Sequence, residues 1–252
     1  LLLFQYCFND SSSGIDAGLY DHFTRGKTRL GDLFRRVFPP WKQWFLLETS
    51  YRELLACATE RRIPVLVMGV PDNQGVADMV AEDLSMVRGL GFNTLALSGA
   101  YQDFQKAQLF QDSVHPNGLG HRIAAEELLT HLVSDPSLGA ADHLKGPVPD
   151  FPETRRLLAA GFQYLEAGRL DAAVEAYGKA VVAVPAYGQY AAHSVTRTAL
   201  ALAATENRSE ALRLMQLAMT WDPDRPEHYL EAARLLNASG QREEALRTCR
   251  KS

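Results

Sequence analysis

The second half of the chain repeats itself, and that repetition limits its fold more than anything else in the sequence. Gly161, Tyr164, Gly168, Ala173, Tyr177, Ala180 and Pro185 stand in one register. Ala199, Leu202, Ala211, Met215, Ala218 and Pro223 follow in the next, and Ala233, Leu236, Gly240, Ala245 and Cys249 in a third. Small residues at helical spacing let two helices approach closely, a bulky residue fills the space between them, a glycine turns the chain and a proline ends the second helix. The second half is therefore expected to be all helical, as a repeat array or as an amphipathic bundle with a chance alanine pattern. From Thr154 onward Ala, Leu, Arg and Glu dominate and no strand-like run appears.

This register resembles the tetratricopeptide (TPR) pattern, with repeats at about 154–187, 192–225 and 226–252. The first, AAGFQYLEAGRLDAAVEAYGKAVVAVP, matches most closely. In the second, Glu206 and Asn207 stand where the turn glycine is expected, and four extra residues separate it from the first. On this pattern the chain stops inside the second helix of the third repeat. The resemblance implies a concave face drawn from the first helix of each repeat, including Arg155, Leu158, Phe162, His193, Thr196, Leu200, Leu230 and Arg234, and a protein or peptide partner held there.

The first half reads differently. Leu1–Cys7, Ile63–Val70 and Phe92–Leu97 are apolar runs of strand length, and helical patterns at about 49–61, 78–89 and 118–132 alternate with them. Strands with little polar alternation, each followed by a helix, predict a parallel sheet covered on both faces. The expected fold is therefore α/β over residues 1–133, a Pro- and Gly-rich linker at 134–152, and an all-α solenoid over 153–252.

The segment FQDSVHPNGLGHRIAAEEL places Asp112 and His115 three apart on a loop, with Pro116, Asn117 and Gly118 opening a helix. A histidine held beside strand ends can take a hydroxyl proton if a carboxylate fixes its tautomer and stabilises the imidazolium. Alternatively, Asp112 and Asn117 are turn and cap residues and His115 a surface histidine. The segment resembles the last conserved block of SGNH (GDSL-like) hydrolases, which implies His115 as base, Asp112 as its orienter and a partial flavodoxin-like, three-layer sheet.

LLLFQYCFND resembles the family block in which an asparagine donates to the oxyanion, and Asn9 is the matching residue, although Cys7 occupies the glycine position. Such a donor contributes about 3 kcal/mol of transition-state stabilisation. An Asn-Asp turn after a strand is the alternative. The resemblance covers about residues 1–133 and implies that the serine block precedes Leu1, leaving this chain incomplete and inactive alone. A rival alignment makes Ser11 the nucleophile, but too few strands then follow it. His121 has no third ligand at metal-binding spacing beside His115, and is read as a helix residue that packs or bonds locally.

Residues 22–45, HFTRGKTRLGDLFRRVFPPWKQWF, carry six basic residues against Asp32. Leu30, Leu33, Phe34, Val37 and Phe38 share a helical face, which suits a lid, an interfacial helix on an anionic membrane, or a helix packed on the core.

A net charge of −4 gives no broad basic field, so nucleic acid is not expected as a partner. Three cysteines, Cys7, Cys57 and Cys249, form neither a disulfide framework nor a metal motif and are read as packing residues. No apolar run reaches the roughly 20 residues of a membrane-spanning helix, and Leu1–Cys7 lacks the basic start of a signal peptide. An envelope or membrane-associated location fits the basic aromatic segment, any targeting signal lying upstream. The resemblance implies an ester hydrolase or acyl transferase without metal or organic cofactor, acting on a small acyl ester of a carbohydrate or lipid. The competing reading is a TPR scaffold carrying a degenerate hydrolase remnant.

Overall fold

The structure, a computed structural model, describes residues 2–6, 40–71, 77–112, 115–138, 147–205 and 207–251. The chain divides into two compact units, Leu1–Gly146 and Pro147–Ser252.

In the first unit β1 (Leu2–Tyr6), α1 (Pro40–Glu60), β2 (Val65–Gly69), α2 (Ala77–Gly89) and β3 (Asn93–Ala96) alternate along the chain. The strands form a small parallel sheet in the order β1-β2-β3, with Leu2 opposite Val65 and Leu66 opposite Asn93. Successive side chains of a strand face opposite ways. Val65 and Val67 therefore join Ala58, Leu84, Val87 and Phe92 beneath α1 and α2. Leu66, Met68 and Val70 join Leu95 and Leu97 on the other side, against Ala124, Leu128 and Leu132 of α5 (Gly118–Ser134). Helices on both faces explain why β2 is apolar at consecutive positions and buried throughout.

Two boundaries differ from the sequence reading. The helix expected at 49–61 begins at Pro40. Pro40 opens the helix, because a fixed φ and a missing N–H cost nothing in a first turn. Between β3 and α5 the chain forms two single-turn helices, α3 (Ser98–Tyr101) and α4 (Lys106–Leu109), too short to show periodicity. At the end of α1, Arg62 takes φ 55°, and Ile63 N–H closes the turn on the Ala58 carbonyl at 2.8 Å.

The second unit is helical: α6 (Phe151–Glu166), α7 (Leu170–Ala183), α8 (Gly188–Ala204), α9 (Arg208–Trp221), α10 (Pro226–Ala238) and α11 (Arg242–Cys249). They pack as three successive hairpins, α6–α7, α8–α9 and α10–α11. Gly168 and Gly240 take φ of 69° and 80° at the first and third turns, the left-handed conformation that glycine adopts without steric cost. The wrapped bonds that close these turns run from Arg169 N–H to the Tyr164 carbonyl and from Gln241 N–H to the Leu236 carbonyl. Asn207 N–H makes the same bond to the Leu202 carbonyl at 3.1 Å, so the second turn closes without a glycine.

Small residues stand where the helices touch. A Cβ on Gly161 would collide with the Tyr177 ring, and one on Gly188 with the Trp221 carbonyl. Ala173, Ala180, Ala199, Ala211 and Ala218 are fully buried. Arg213 of α9 bonds Asp171 of α7 at 2.9 Å while also holding Glu210, which links the first hairpin to the second.

Cys57 and Cys249 correct the packing reading, since both are exposed at helix positions and neither forms a disulfide. Cys7 lies outside the described residues. Among the described residues no helix is long and apolar enough to cross a membrane.

Candidate active site

Asp112 and His115 meet through two hydrogen bonds. The His115 backbone N–H donates to Asp112 Oδ1 at 2.7 Å, and His115 Nδ1 lies 2.8 Å from Asp112 Oδ2. An ionised carboxylate only accepts, so Nδ1 carries the proton and Nε2 keeps the lone pair. Both side chains are well exposed, 66% for His115 and 48% for Asp112, so the pair adds little to stability and stands open to a ligand.

The turn that holds them is built from backbone on both sides. Phe110 and Pro116 form an antiparallel bridge, flanked by Gln111 N–H to the His115 carbonyl at 3.0 Å and Asn117 N–H to the Leu109 carbonyl at 2.7 Å. In that register the paired residues exchange no bonds with each other, so the N–H that Pro116 lacks is not missed. On the incoming side, α4 is closed by reciprocal bonds between Gln105 and Gln108. On the outgoing side, Asn117 caps α5, its Oδ1 accepting from Leu119 N–H at 2.9 Å and Gly120 N–H at 3.1 Å. Its Nδ2 donates back to the Gln108 carbonyl at 2.9 Å.

Beneath the turn, Leu109 and Phe110 are buried, and Phe110 meets Tyr101 edge to face at 5.9 Å. The Tyr101 hydroxyl donates to the Gly120 carbonyl at 2.9 Å, and burial pushes its pKa up to about 12, so it stays a donor. Gly120 is required by space: a Cβ there would collide with the Leu109 carbonyl and press on Pro116. Sequence reasoning reached Asp112 and His115 but assigned no role to Tyr101 or Gly120. Asn117 is the cap that one of the two sequence readings made it, as expected of an asparagine before a helical run.

Asn9 and Ser11 lie outside the described residues, as do residues 22–39 of the basic aromatic segment. Pro40–Phe45 form the first turns of α1. His121 lies on α5, a helix residue as read, with its side chain exposed. Among the described residues no group of three or more His, Cys, Asp or Glu could hold a metal ion.

In the second unit the eight residues expected on one concave face separate into two sets. Arg155 and Leu158 are buried at 5% and 0% exposure, and Phe162 is half-buried with its ring edge-on to Tyr177 at 5.5 Å. These three therefore do not line an open face, and Phe162 packs within the first hairpin. His193 and Leu200 of α8, and Leu230 and Arg234 of α10, are exposed. Thr196 reaches inward, its Oγ1 3.0 Å from Nδ1 of the buried His228, whose Nε2 lies 3.4 Å from Asp222 Oδ2. Desolvation of its ring by neighbouring groups, then the positive charges of Arg197 and Arg225, lower the pKa of His193 below the ordinary 6.5.

Comparison with family models, with curated proteins and with solved structures gives no match to the chain.

Proposed function

We propose that the first unit is part of an SGNH-type ester hydrolase or acyl transferase, its sheet a partial flavodoxin-like one, and that the hairpins of the second are TPR repeats. One observation carries the catalytic reading: Nδ1 of His115 is held 2.8 Å from Asp112 while the ring remains largely exposed. That arrangement leaves Nε2 free of the carboxylate and able to take a proton from a serine hydroxyl as the hydroxyl oxygen attacks an acyl carbon. Asp112 then balances the imidazolium, which returns the proton to the leaving oxygen. Asn9 is the proposed oxyanion donor. The serine belongs to a block expected before Leu1, with Ser11 as the lesser candidate. A small acyl ester of a carbohydrate or lipid is the proposed substrate class, with no metal or organic cofactor, and residues 22–45 the proposed membrane-surface contact at the cell envelope.

Turnover of p-nitrophenyl acetate and butyrate tests this reading, measured for the 252-residue chain and for any chain extending upstream of Leu1, each beside His115→Ala. Activity lost in His115→Ala supports the triad. Inertness of every wild-type form with both esters overturns it.

The exposed Leu200 and Leu230, on α8 and α10 and about 40% accessible each, favour a second reading in which the hairpins hold a peptide and the hydrolase unit is a remnant. Peptide-array binding that Leu200→Ser and Leu230→Ser abolish would support it, and no peptide capture would count against it.

A further inference from the structure

Asp112 and His115 are both exposed, so the two hydrogen bonds between them restrain their arrangement only weakly on their own. Exposed ion pairs of this kind hold their geometry weakly. Further restraint comes from the backbone on either side. Three features converge on residue 117. Its backbone N–H bonds the Leu109 carbonyl at 2.7 Å, its Oδ1 accepts from Leu119 and Gly120 N–H, and its Nδ2 donates to the Gln108 carbonyl at 2.9 Å. Asn117 thus spans the mouth of the turn, tying the segment that enters it to the helix that leaves it. A helix cap needs only the Oδ1 half of this set. The Nδ2 half acts elsewhere, joining residue 117 to the Gln108 carbonyl on the segment that enters the turn.

We infer that Asn117 is a positioning residue for the Asp112–His115 pair, acting through its bond to the Gln108 carbonyl rather than through the helix cap. The inference rests on the reading of His115 as a general base. The two functions of the side chain are separable by chemistry. Asn117→Asp keeps an oxygen acceptor for Leu119 and Gly120, and aspartate caps helices as well as asparagine does. It removes the donor and sets a carboxylate oxygen against the Gln108 carbonyl, which repels it.

The experiment compares wild type, Asn117→Asp, Asn117→Ser and Leu128→Ala by NMR and thermal melting. Leu128 packs on the sheet side of α5, away from the turn, so Leu128→Ala lowers stability without touching residue 117. Two signals are read: the exchange rate of the His115 backbone amide, and the ring nitrogen shifts that report which nitrogen carries the proton. In Asn117→Asp the melting temperature is expected to stay near wild type, while the amide exchanges about tenfold faster and the ring becomes a mixture of tautomers. Asn117→Ser, which caps but is too short for Gln108, is expected to behave alike and decides the matter should the aspartate variant not fold. In Leu128→Ala the order reverses, with a lower melting temperature and a single ring tautomer. Unchanged exchange and tautomer in both residue-117 variants would overturn the inference. So would a Leu128→Ala protein whose His115 signals move as far as theirs.

Neither readout requires turnover. Absence of ester hydrolysis in every wild-type form would defeat the hydrolase reading and leave the positional result standing. Where hydrolysis is measurable, kcat of Asn117→Asp is expected to fall about tenfold at unchanged KM.

Discussion

The ring of Tyr177 occupies the space that a side chain on residue 161 would need. Glycine there lets α6 and α7 close around a tyrosine that is fully buried, packed edge-on by Phe162 at 5.5 Å and Trp221 at 6.1 Å. Gly161→Ala is expected to destabilise the second unit by about 1–3 kcal/mol, as overpacking does when the neighbour is a rigid ring. Urea denaturation followed by helical circular dichroism reads this directly, and an unchanged midpoint would show that the hairpin can widen without cost.

Thr196, Asp222 and His228 bring α8, the end of α9 and α10 together through one buried imidazole. Thr196→Val keeps the shape and removes the hydroxyl, leaving Nδ1 of a 2%-exposed ring without that partner. A loss of about 1–3 kcal/mol is expected from denaturant unfolding, larger than the same change at Thr220, an exposed position.

His193 makes the second unit sensitive to acid. Its folded-state pKa lies below the ordinary 6.5, so as pH falls through that value the unfolded chain takes up the proton first. Stability from this group is fully present above the ordinary value and is lost as pH falls from there toward the folded-state pKa. Unfolding midpoints at about pH 7.5 and about pH 5.5 should differ less in His193→Gln than in wild type. An equal difference in both would assign the acid sensitivity elsewhere.

Asp112→Asn should leave the fold intact, because the carboxylate is exposed, yet remove the acceptor that fixes the His115 tautomer. In an active form of the protein kcat is expected to fall by about 10²–10⁴-fold, as when the carboxylate of a triad is replaced by its amide. A change in KM alone would show that the residue binds rather than orients.

Arg62, at φ 55°, holds the left-handed conformation at the end of α1 without being glycine. Arg62→Gly is expected to raise stability of the first unit by up to about 1 kcal/mol, relief of Cβ strain outweighing the added freedom of the unfolded chain. Thermal melting checks the sign.

Features that depend on neighbours in the sequence were legible in it. The run from Ile63 to Val70 announced β2, and the pairing of Asp112 with His115 was implied by the resemblance carried by FQDSVHPNGLGH as a whole, not by their spacing alone. The close-approach glycine at 161 emerged because the repeats align it with alanines at 199 and 233. Features made by distant segments were not. Nothing local marks Thr196 and His228 as partners, since helix packing alone brings them together. Arg155 and Leu158 were placed on an open face because periodicity shows which residues share a side of a helix, not whether that side meets another helix. The short helices at 98–101 and 106–109 gave no signal, one turn being less than a period can reveal.

Pro116 takes no part in the hydrogen bonds of its turn, yet it acts on its neighbour through covalent structure. A residue that precedes proline is excluded from helical backbone angles by the ring's own atoms and is confined to extended ones. His115 is therefore restricted in the unfolded chain too, before Asp112 or the helix that follows is in place. Part of the order at this histidine is supplied when the chain is synthesised, and folding has that much less freedom to remove.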